Sequence, residues 1–165
     1  MKRSFCFLLI LSLLIIPGCA KDSPEETLRF YYCRKEFAYG TETGIIVPEQ
    51  RSLPGHEDDL EYLLSLYFVG PQDESCQSPF PKRTQLLAFE QSKDFLLLEI
   101  TDCSEQLTDA QFSLGCACLA MTCMELTDVK YVTVTSGDAK ITLSENSLLL
   151  HDSMDLAAIS TEEPQ

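Results

Sequence analysis

The apolar positions of this chain recur with a helical period in two segments. In residues 57–69 they follow the i, i+3, i+4, i+7 spacing of one helix face, at Leu60, Leu63, Leu64 and Tyr67. Acidic residues crowd the first turn, where the helix dipole favours them, and Gly70 followed by Pro71 ends the pattern. We therefore expect a first helix over residues 57–69.

A second predicted helix has the clearest start in the sequence. Thr108 and Gln111 have the spacing of a capping box, and Leu107 and Phe112 that of a hydrophobic staple. The core-facing positions then recur at alternating spacings of four and three: Phe112, Cys116, Leu119, Cys123 and Leu126. Further apolar residues on a second face predict that this helix is mostly buried.

Other segments are short, apolar and rich in aromatic or β-branched residues, as strands are. We expect strands at residues 28–34, 44–47, 85–90, 95–101, 131–135, 141–144 and 147–150. Pro48 should stop the second of them, and residues 72–84, which contain Pro79 and Pro81, should form a loop. The order of elements predicts an α+β, two-layer sandwich, with two amphipathic helices packed on a mixed, mostly antiparallel sheet.

The N-terminus has the pattern of a bacterial lipoprotein signal. Lys2 and Arg3 precede a twelve-residue apolar run, too short for a membrane span of about 20 residues. Ile16 and Gly18 suit the positions before a lipidated cysteine, although Pro17 is less usual there. We expect lipidation at Cys19 and anchoring at the extracytoplasmic face of the cell membrane through acyl chains such as palmitate. A plain secretory signal and a transmembrane anchor are the less favoured alternatives.

This interpretation divides the chain into four parts. Residues 1–18 are the predicted signal peptide, 19–27 a polar tether, 28–150 the folded domain and 151–165 an acidic, flexible tail.

Charge and composition narrow the possible partners. The chain has a net charge of −14, and removal of residues 1–18 would leave ten basic against 26 acidic residues, a net charge of −16. Such a surface repels nucleic acid and anionic lipid head groups, so we expect no nucleic-acid partner. A hydrophobic fraction of 45% indicates a folded core rather than a disordered chain.

Six cysteines follow Cys19, an even number that would normally suggest disulfides in an exported chain. Cys116, Cys118 and Cys123 share one predicted helix, whose regular backbone prevents any two of them from bonding to each other. We expect small, buried, apolar residues here, and Cys103 also points into the predicted core. A zinc site is disfavoured by the spacing, and the redox state of all six, which include Cys33 and Cys76, stays open.

A search for catalytic motifs finds none that is complete. The chain lacks a Gly-x-Ser-x-Gly elbow, a His-Glu-x-x-His helix and a glycine-rich phosphate loop. Its histidines are His56 and His151, and a Cys-His hydrolase would have to pair one of them with a thiol such as Cys103. We expect no enzyme activity and no cofactor.

Two polar groups could be mistaken for sites. The acidic residues near the first helix, Glu57, Asp58, Asp59 and Glu61, lack the alternating oxygen ligands of a calcium loop and suit a solvated helix N-terminus better. Asp102 and Ser104 could be catalytic, but a polar pair just before a helix usually serves turn and capping roles. We therefore expect no metal site and no catalytic residue.

Several short motifs, taken in order, resemble the GerMN domain of sporulation and spore germination lipoproteins. They are Phe30-Tyr31-Tyr32; Ile46-Val47-Pro48-Glu49-Gln50-Arg51; Leu63-Leu64; Val69-Gly70-Pro71; Ser78-Pro79-Phe80-Pro81-Lys82 with Thr84; Leu86-Leu87; Asp102 with Ser104-Glu105; and Thr122 with Glu125-Leu126, before Val129 and Val132. The resemblance covers residues 28–150. It implies a fold similar to ring-building motifs, no catalytic residues and a place in envelope complexes between mother cell and forespore.

Two features depart from the family. Arg83 stands where the family usually has glycine, and this chain has one copy where the protein that names the domain has two in tandem. We expect a membrane-anchored assembly or protein-interaction module of the cell envelope, with a protein partner or self-association, connected with sporulation or germination. The alternatives are a lipoprotein that captures a small solute or wall fragment, which requires a deep pocket, and a hydrolase.

Overall fold

A computed structural model describes residues 27–36, 44–103 and 105–147. The strands are β1 (Thr27–Arg34), β2 (Ile46–Ser52), β3 (Cys76–Gln77), β4 (Leu86–Gln91), β5 (Phe95–Ile100), β6 (Tyr131–Ser136) and β7 (Ala139–Ser144). The helices are α1 (Leu60–Val69), between β2 and β3, and α2 (Asp109–Leu126), between β5 and β6. The predicted α+β class, with two helices packed on strands, is confirmed.

The strands form two sheets rather than one. The first, in the order β2-β1-β3, is antiparallel, and the second has the order β4-β5-β6-β7. Within the second sheet β5 and β6 are parallel, because α2 carries the chain back to the starting end, and the other two pairings are antiparallel. The predicted mixed, mostly antiparallel pairing is therefore present, divided between two sheets.

Both helices begin at capping side chains. Thr108 and Gln111 form the predicted capping box of α2, in which the Thr108 hydroxyl accepts from the Gln111 N–H at 3.3 Å. The predicted start of α1 at residue 57 is wrong, because Asp59 caps the helix by accepting from the Tyr62 N–H at 3.1 Å. The carboxylate of Glu57 instead accepts from the Gly55 N–H in the preceding turn.

Pro48 does not stop β2, as the sequence predicted, but lies within it. Strand β2 is at the edge of its sheet, so a residue without an N–H can face outward without breaking the ladder. Its register partner Tyr31 donates its own N–H to the Thr122 hydroxyl at 2.9 Å, on the side of β1 away from β2.

Two other expectations differ from the structure. The loop predicted over residues 72–84 contains the short strand β3, which pairs with Cys33 and Arg34. Of the strand predicted at 147–150, Ser147 belongs to a helical turn at residues 145–147, and the other three positions lie outside the described residues.

Three contacts at alternate residues of β1 join this strand to α2. Arg29 pairs with Glu125 at 2.6 Å, the Tyr31 N–H is bound by Thr122, and the Cys33 sulfur faces the Cys118 sulfur. The strand positions advance by two while the helix positions fall back by three and four, so strand and helix run antiparallel along this seam. We call this set of contacts the β1–α2 seam.

One apolar core lies between the sheets and the helices. It contains the predicted helix positions Leu63, Leu64, Tyr67, Phe112, Cys116, Leu119 and Cys123, together with alternate residues of β5 and β6. Leu60 and Leu126 are only partly buried against it.

The predicted signal peptide, Cys19, residues 20–26 of the tether and the tail at 151–165 lie outside the described residues. None of the helices found within the described ranges combines the length and the apolar character that a membrane span requires.

Candidate interaction surface

The four-stranded sheet has apolar side chains on both faces. In β5, Leu96, Leu98 and Ile100 are buried under the helices, and the residues between them alternate to the other face. Register places Phe95 beside Tyr131 and Leu97 beside Thr133 on that outer face. The inward-facing apolar residues of β5 belong to the core, whereas the outward-facing ones do not contribute to it.

The aromatic and aliphatic residues of the outer face form one patch. The rings of Phe95 and Tyr131 stack with centroids 4.9 Å apart and planes inclined by 17°. Phe95, Leu97 and Tyr131 expose 47%, 43% and 40% of their surface, so nothing in the described part of the chain covers them. We call these three residues the outer-sheet surface.

Strand β4 forms an open edge beside this surface. Leu87 and Phe89 expose 59% and 37% of their surface, and a register shift between Leu86 and Ala88 marks a bulge. The strand has neither proline nor lysine, two residues that commonly protect an edge from pairing with another chain. The edge can therefore accept an extended segment from a partner.

The charges on the outer face are mainly negative near β4. Glu90 pairs in register with Leu97, and Glu99 follows on the same face of β5. At the other end, Lys130 forms a salt bridge with Asp94 at 2.9 Å, and this contact raises the pKa of the lysine. The main-chain N–H groups of Lys130 and Tyr131 both donate to the Asp94 carbonyl at 3.0 Å. These bonds hold the two stacked rings in place.

The three-stranded sheet instead buries charge. Arg51 and Glu49 form an ion pair whose side chains are 2% and 7% exposed. Arg51 also donates to the Gly70 carbonyl at 2.8 Å and to the Tyr32 hydroxyl at 3.2 Å, and its guanidinium lies over the rings of Phe30 and Tyr32. We call Glu49, Arg51 and Tyr32 the buried ion cluster.

Glu49 completes the cluster by binding the loop after α1. Its second carboxylate oxygen accepts from the Gln72 and Asp73 N–H groups, each at 2.8 Å. Burial is the main reason that the pKa of Tyr32 is raised, so its hydroxyl stays protonated and donates to the Tyr67 carbonyl at 3.1 Å. The motif residues Glu49 and Arg51 thus join β2 to the end of α1, which is a structural role.

A cleft of about 580 Å³ opens between the start of α1, the β4–β5 turn and the end of α2. Glu57, Asp58 and Asp128 line it on one side and Lys93 on another. For the ligand-binding alternative this cleft is one candidate among the described residues. Its lining is more polar than apolar, unlike the deep apolar pocket that small solutes usually occupy.

The residues considered for catalysis are engaged elsewhere. His56 stacks on Tyr62 with ring centroids 4.1 Å apart and lies 3.8 Å from Asp59. Cys103 is buried, with its sulfur 3.3 Å from the Ser136 hydroxyl. Within the described ranges, no three His, Cys, Asp or Glu side chains are placed to hold a metal. His151 lies outside those ranges.

Asp102 packs on the turn between β6 and β7. A Cβ atom at Gly137, whose φ is 57°, would lie 2.7 Å from the Asp102 carboxylate, so glycine permits this close approach. The turn and capping role before α2, which the sequence favours for Asp102, stays a prediction. Ser104 lies outside the described residues.

All six described cysteines are buried, as expected for Cys103, Cys116, Cys118 and Cys123, and all six are free thiols. Burial raises the pKa of the Cys116 thiol to about 12 and also raises that of Cys123.

Sequence reasoning did not find the outer-sheet surface. The run Phe95-Leu96-Leu97-Leu98 is apolar at both parities, which is typical of a strand buried on both faces. Only the register with β6 and the exposed fractions show that one parity is uncovered.

Comparison with known proteins gives structural neighbours only. No family model and no curated protein matches the chain. It is similar to the tandem GerMN domains of the sporulation protein GerM from Bacillus subtilis, with a TM-score of 0.49 and 18% identity over 68% of this chain and 39% of that one. It is also similar to a candidate lipoprotein from Clostridium perfringens, with a TM-score of 0.39 and 16% identity over 73% and 87% of the two chains.

The GerM match thus spans well under half the length of that protein. Its name agrees with the family that the motifs resemble. Both TM-scores are below 0.5, so neither likeness indicates a function for this chain.

Proposed function

We propose that this chain is a lipid-anchored extracytoplasmic lipoprotein whose GerMN-like domain is a non-catalytic protein-interaction module of the cell envelope. The process that it serves, by the resemblance of its motifs, is sporulation or spore germination. The observation that carries the proposal is the outer-sheet surface, an aromatic and aliphatic patch on a rigid sheet, beside an open strand edge. Uncovered apolar patches of this kind mark sites of protein interaction.

The partner that fits is a protein with an apolar contact surface and basic residues around it. Phe95 and Tyr131 are aromatic anchors of the type that dominates binding energy at interfaces. Glu90 and Glu99 on the same sheet face favour cations opposite them. A second copy fits less well, because a chain beginning at Cys19 has a net charge of −16 and would repel its copy.

A non-catalytic role is supported by the contacts of the chain's reactive groups. The six thiols in the described part of the chain are buried, and His56 contacts Tyr62 and Asp59 at the start of α1. A nucleophile needs a base within hydrogen-bond reach. The described histidine instead lies among helix-capping residues.

The surface is tested by comparing Leu97→Lys with Val69→Lys in the full chain. Both positions are exposed and apolar, but Val69 is at the end of α1, away from the outer-sheet surface. A photo-crosslinking residue at position 99, which is exposed on the same face of β5, would report the bound protein in cells of a host that expresses the chain. We expect one specific adduct, lost in Leu97→Lys and kept in Val69→Lys.

Equal adducts in both variants would refute this use of the surface. Sedimentation of the purified chain over a hundredfold range of concentration is the companion measurement. We expect a monomer throughout, and association that Leu97→Lys abolishes would instead identify a second copy as the occupant.

The anchor is tested separately by Cys19→Ala. We expect the unmodified chain to take up a labelled fatty acid and to sediment with membranes, and the variant to do neither. Labelling of Cys19→Ala to the same extent would contradict lipidation at this residue.

A further inference from the structure

Two thiols face each other at the end of the β1–α2 seam. The sulfurs of Cys33 and Cys118 are 3.8 Å apart, although the residues are separated by 85 positions in the chain. Cys33 is 4% exposed and Cys118 is fully buried. The neighbouring thiols have other contacts: the sulfurs of Cys103 and Cys76 lie near the hydroxyls of Ser136 and Ser75, respectively.

The backbone on both sides fixes this juxtaposition. Cys33 is paired with Ile46 of β2 and Gln77 of β3, and Cys118 lies in the middle of α2. The two neighbouring rungs of the seam, at Tyr31 and Arg29, hold the strand against the helix. A disulfide has its sulfurs about 2.05 Å apart, so each sulfur would move by roughly 1 Å, which rotation about the side-chain bonds can supply.

We propose that Cys33 and Cys118 form a disulfide bond, a modification site that joins the first strand of the domain to its long helix. The oxidant is a disulfide, carried by a small thiol compound or by a protein. The Cys33 thiolate attacks one sulfur of that disulfide and releases one thiol. The Cys118 thiolate then attacks the Cys33 sulfur and expels the second thiol. Two protons and two electrons leave the cysteine pair, and the oxidant takes them up as two thiols.

The order of attack follows from the local environment. The contact with Cys118 lowers the pKa of the Cys33 thiol, and the same contact, with burial, raises the pKa of Cys118. Cys33 is also the less buried of the two. It is therefore the thiol that attacks first.

The bond would constrain the unfolded chain across 85 residues, which stabilises the folded domain. The reaction rests on the extracytoplasmic location proposed above, because the cytoplasm keeps thiols reduced. The pairing itself does not depend on that location, since any compatible disulfide can oxidise it.

The test uses the full chain purified in detergent and equilibrated with oxidised glutathione, in parallel with Cys33→Ala, Cys118→Ala and the control Cys123→Ala. Cys123 lies in the same helix and is equally buried. Alkylation under denaturing, non-reducing conditions counts free thiols. Trypsin leaves Cys103, Cys116, Cys118 and Cys123 together in peptide 94–130, so fragmentation of the linked peptides by tandem mass spectrometry locates the link. We expect a Cys33–Cys118 link and a melting temperature about 10 °C higher than with dithiothreitol.

The control variant should keep the link and the thermal shift, and the other two should lose both. Free thiols at Cys33 and Cys118 after equilibration, or a link that uses Cys123, would overturn the proposal. The chain recovered directly from cells gives the remaining comparison. If oxidised glutathione forms the link in the purified chain, the pairing is supported. If Cys33 and Cys118 are nevertheless reduced in the chain taken from cells, that result counts against the extracytoplasmic location and not against the pairing.

Discussion

The two sheets of this domain reverse the usual distribution of polar and apolar groups. The three-stranded sheet buries an arginine and a glutamate, whereas the four-stranded sheet exposes two aromatic rings and a leucine. The charges tolerate burial because they bond to each other, to backbone groups and to the Tyr32 hydroxyl and lie against two rings, although Nη1 of Arg51 has no hydrogen-bond partner among the described residues. The apolar surface has no such partner within the described chain. Bonding partners within the domain therefore distinguish the buried ion cluster from the surface that we propose as a protein-interaction site.

The largest expected effect comes from breaking the buried ion cluster. Arg51→Met leaves the Glu49 carboxylate buried without its cation, and we expect a loss of about 3–5 kcal/mol in the free energy of unfolding. Glu49→Gln combined with Arg51→Met should recover part of this loss, because the amide oxygen can still accept from the Gln72 and Asp73 N–H groups. Urea denaturation of the reduced chain measures both.

The control for this prediction is Gln50→Met, at the exposed position between the two charged residues. It should change the free energy of unfolding by less than about 0.5 kcal/mol. A loss below about 1 kcal/mol in Arg51→Met would show that the cluster does not hold β2 in place.

Leu97 and Leu98 of β5 allow the two faces of the four-stranded sheet to be compared at neighbouring positions. Leu98→Ala removes a side chain that is 2% exposed and should cost about 2–5 kcal/mol. Leu97→Ala, on the outer-sheet surface, should cost less than about 1 kcal/mol because water already reaches that leucine. Thermal and urea unfolding of both variants give the difference. Equal losses would mean that the outer face is covered.

Alkaline pH is expected to destabilise the buried interior. The Cys116 thiol has a pKa near 9 when solvated and about 12 when folded, so above pH 9 the unfolded chain releases a proton that the folded chain keeps. The free energy of unfolding should fall between pH 9 and 12, by about 1.4 kcal/mol per pH unit from this thiol, and should not depend on it below pH 9. Tyr32, Tyr67, Cys118 and Cys123 shift in the same direction.

Cys116→Ala tests the contribution of this thiol. Melting temperatures measured from pH 7 to 11 should decline less steeply in the variant than in the unmodified chain. Identical slopes would assign the alkaline transition to the other buried groups.

The smallest effect concerns the turn that leads into β4. Arg83 has a φ of 80°, in the left-handed region that glycine adopts freely, and it stands where the GerMN motif has glycine. Arg83→Gly should raise the free energy of unfolding by about 0.5–1 kcal/mol, whereas Arg83→Ala should not. A glycine variant less stable than the alanine variant would indicate that the Arg83 side chain has contacts that outweigh the strain.

The sequence predicted an element correctly where residues close together in the chain determine its geometry. The capping box at Thr108 and Gln111, the helical stripe of α2 and the β4–β5 hairpin all depend on such residues, and all are present. The start of α1 was misplaced because three acidic residues in a row offer three possible caps, and only the folded turn at Gly55 selects Asp59.

Features that depend on pairing could not be predicted in the same way. Pro48 indicates a strand end unless its strand is known to be at the edge of a sheet. Strand β3 has only two residues, and it is a strand because they pair with β1. The sequence likewise marked Glu49 and Arg51 only as members of a motif. It could not predict their burial as an ion pair, because their partners Gly70 and Gln72 lie about 20 residues away. Exposure of the outer-sheet surface follows from how the described elements pack, and a local sequence pattern does not show this.

The β1–α2 seam also determines the order in which this domain can be completed during synthesis. Strand β1 is the first described element to be made, but its rungs join residues separated by 85, 91 and 96 positions. At roughly 5–20 residues per second, the partner helix follows about 5–20 seconds later. During that interval Phe30, Tyr31 and Tyr32 lack their contacts with α2, so the aromatic first strand stays an uncovered apolar segment until the helix has been made.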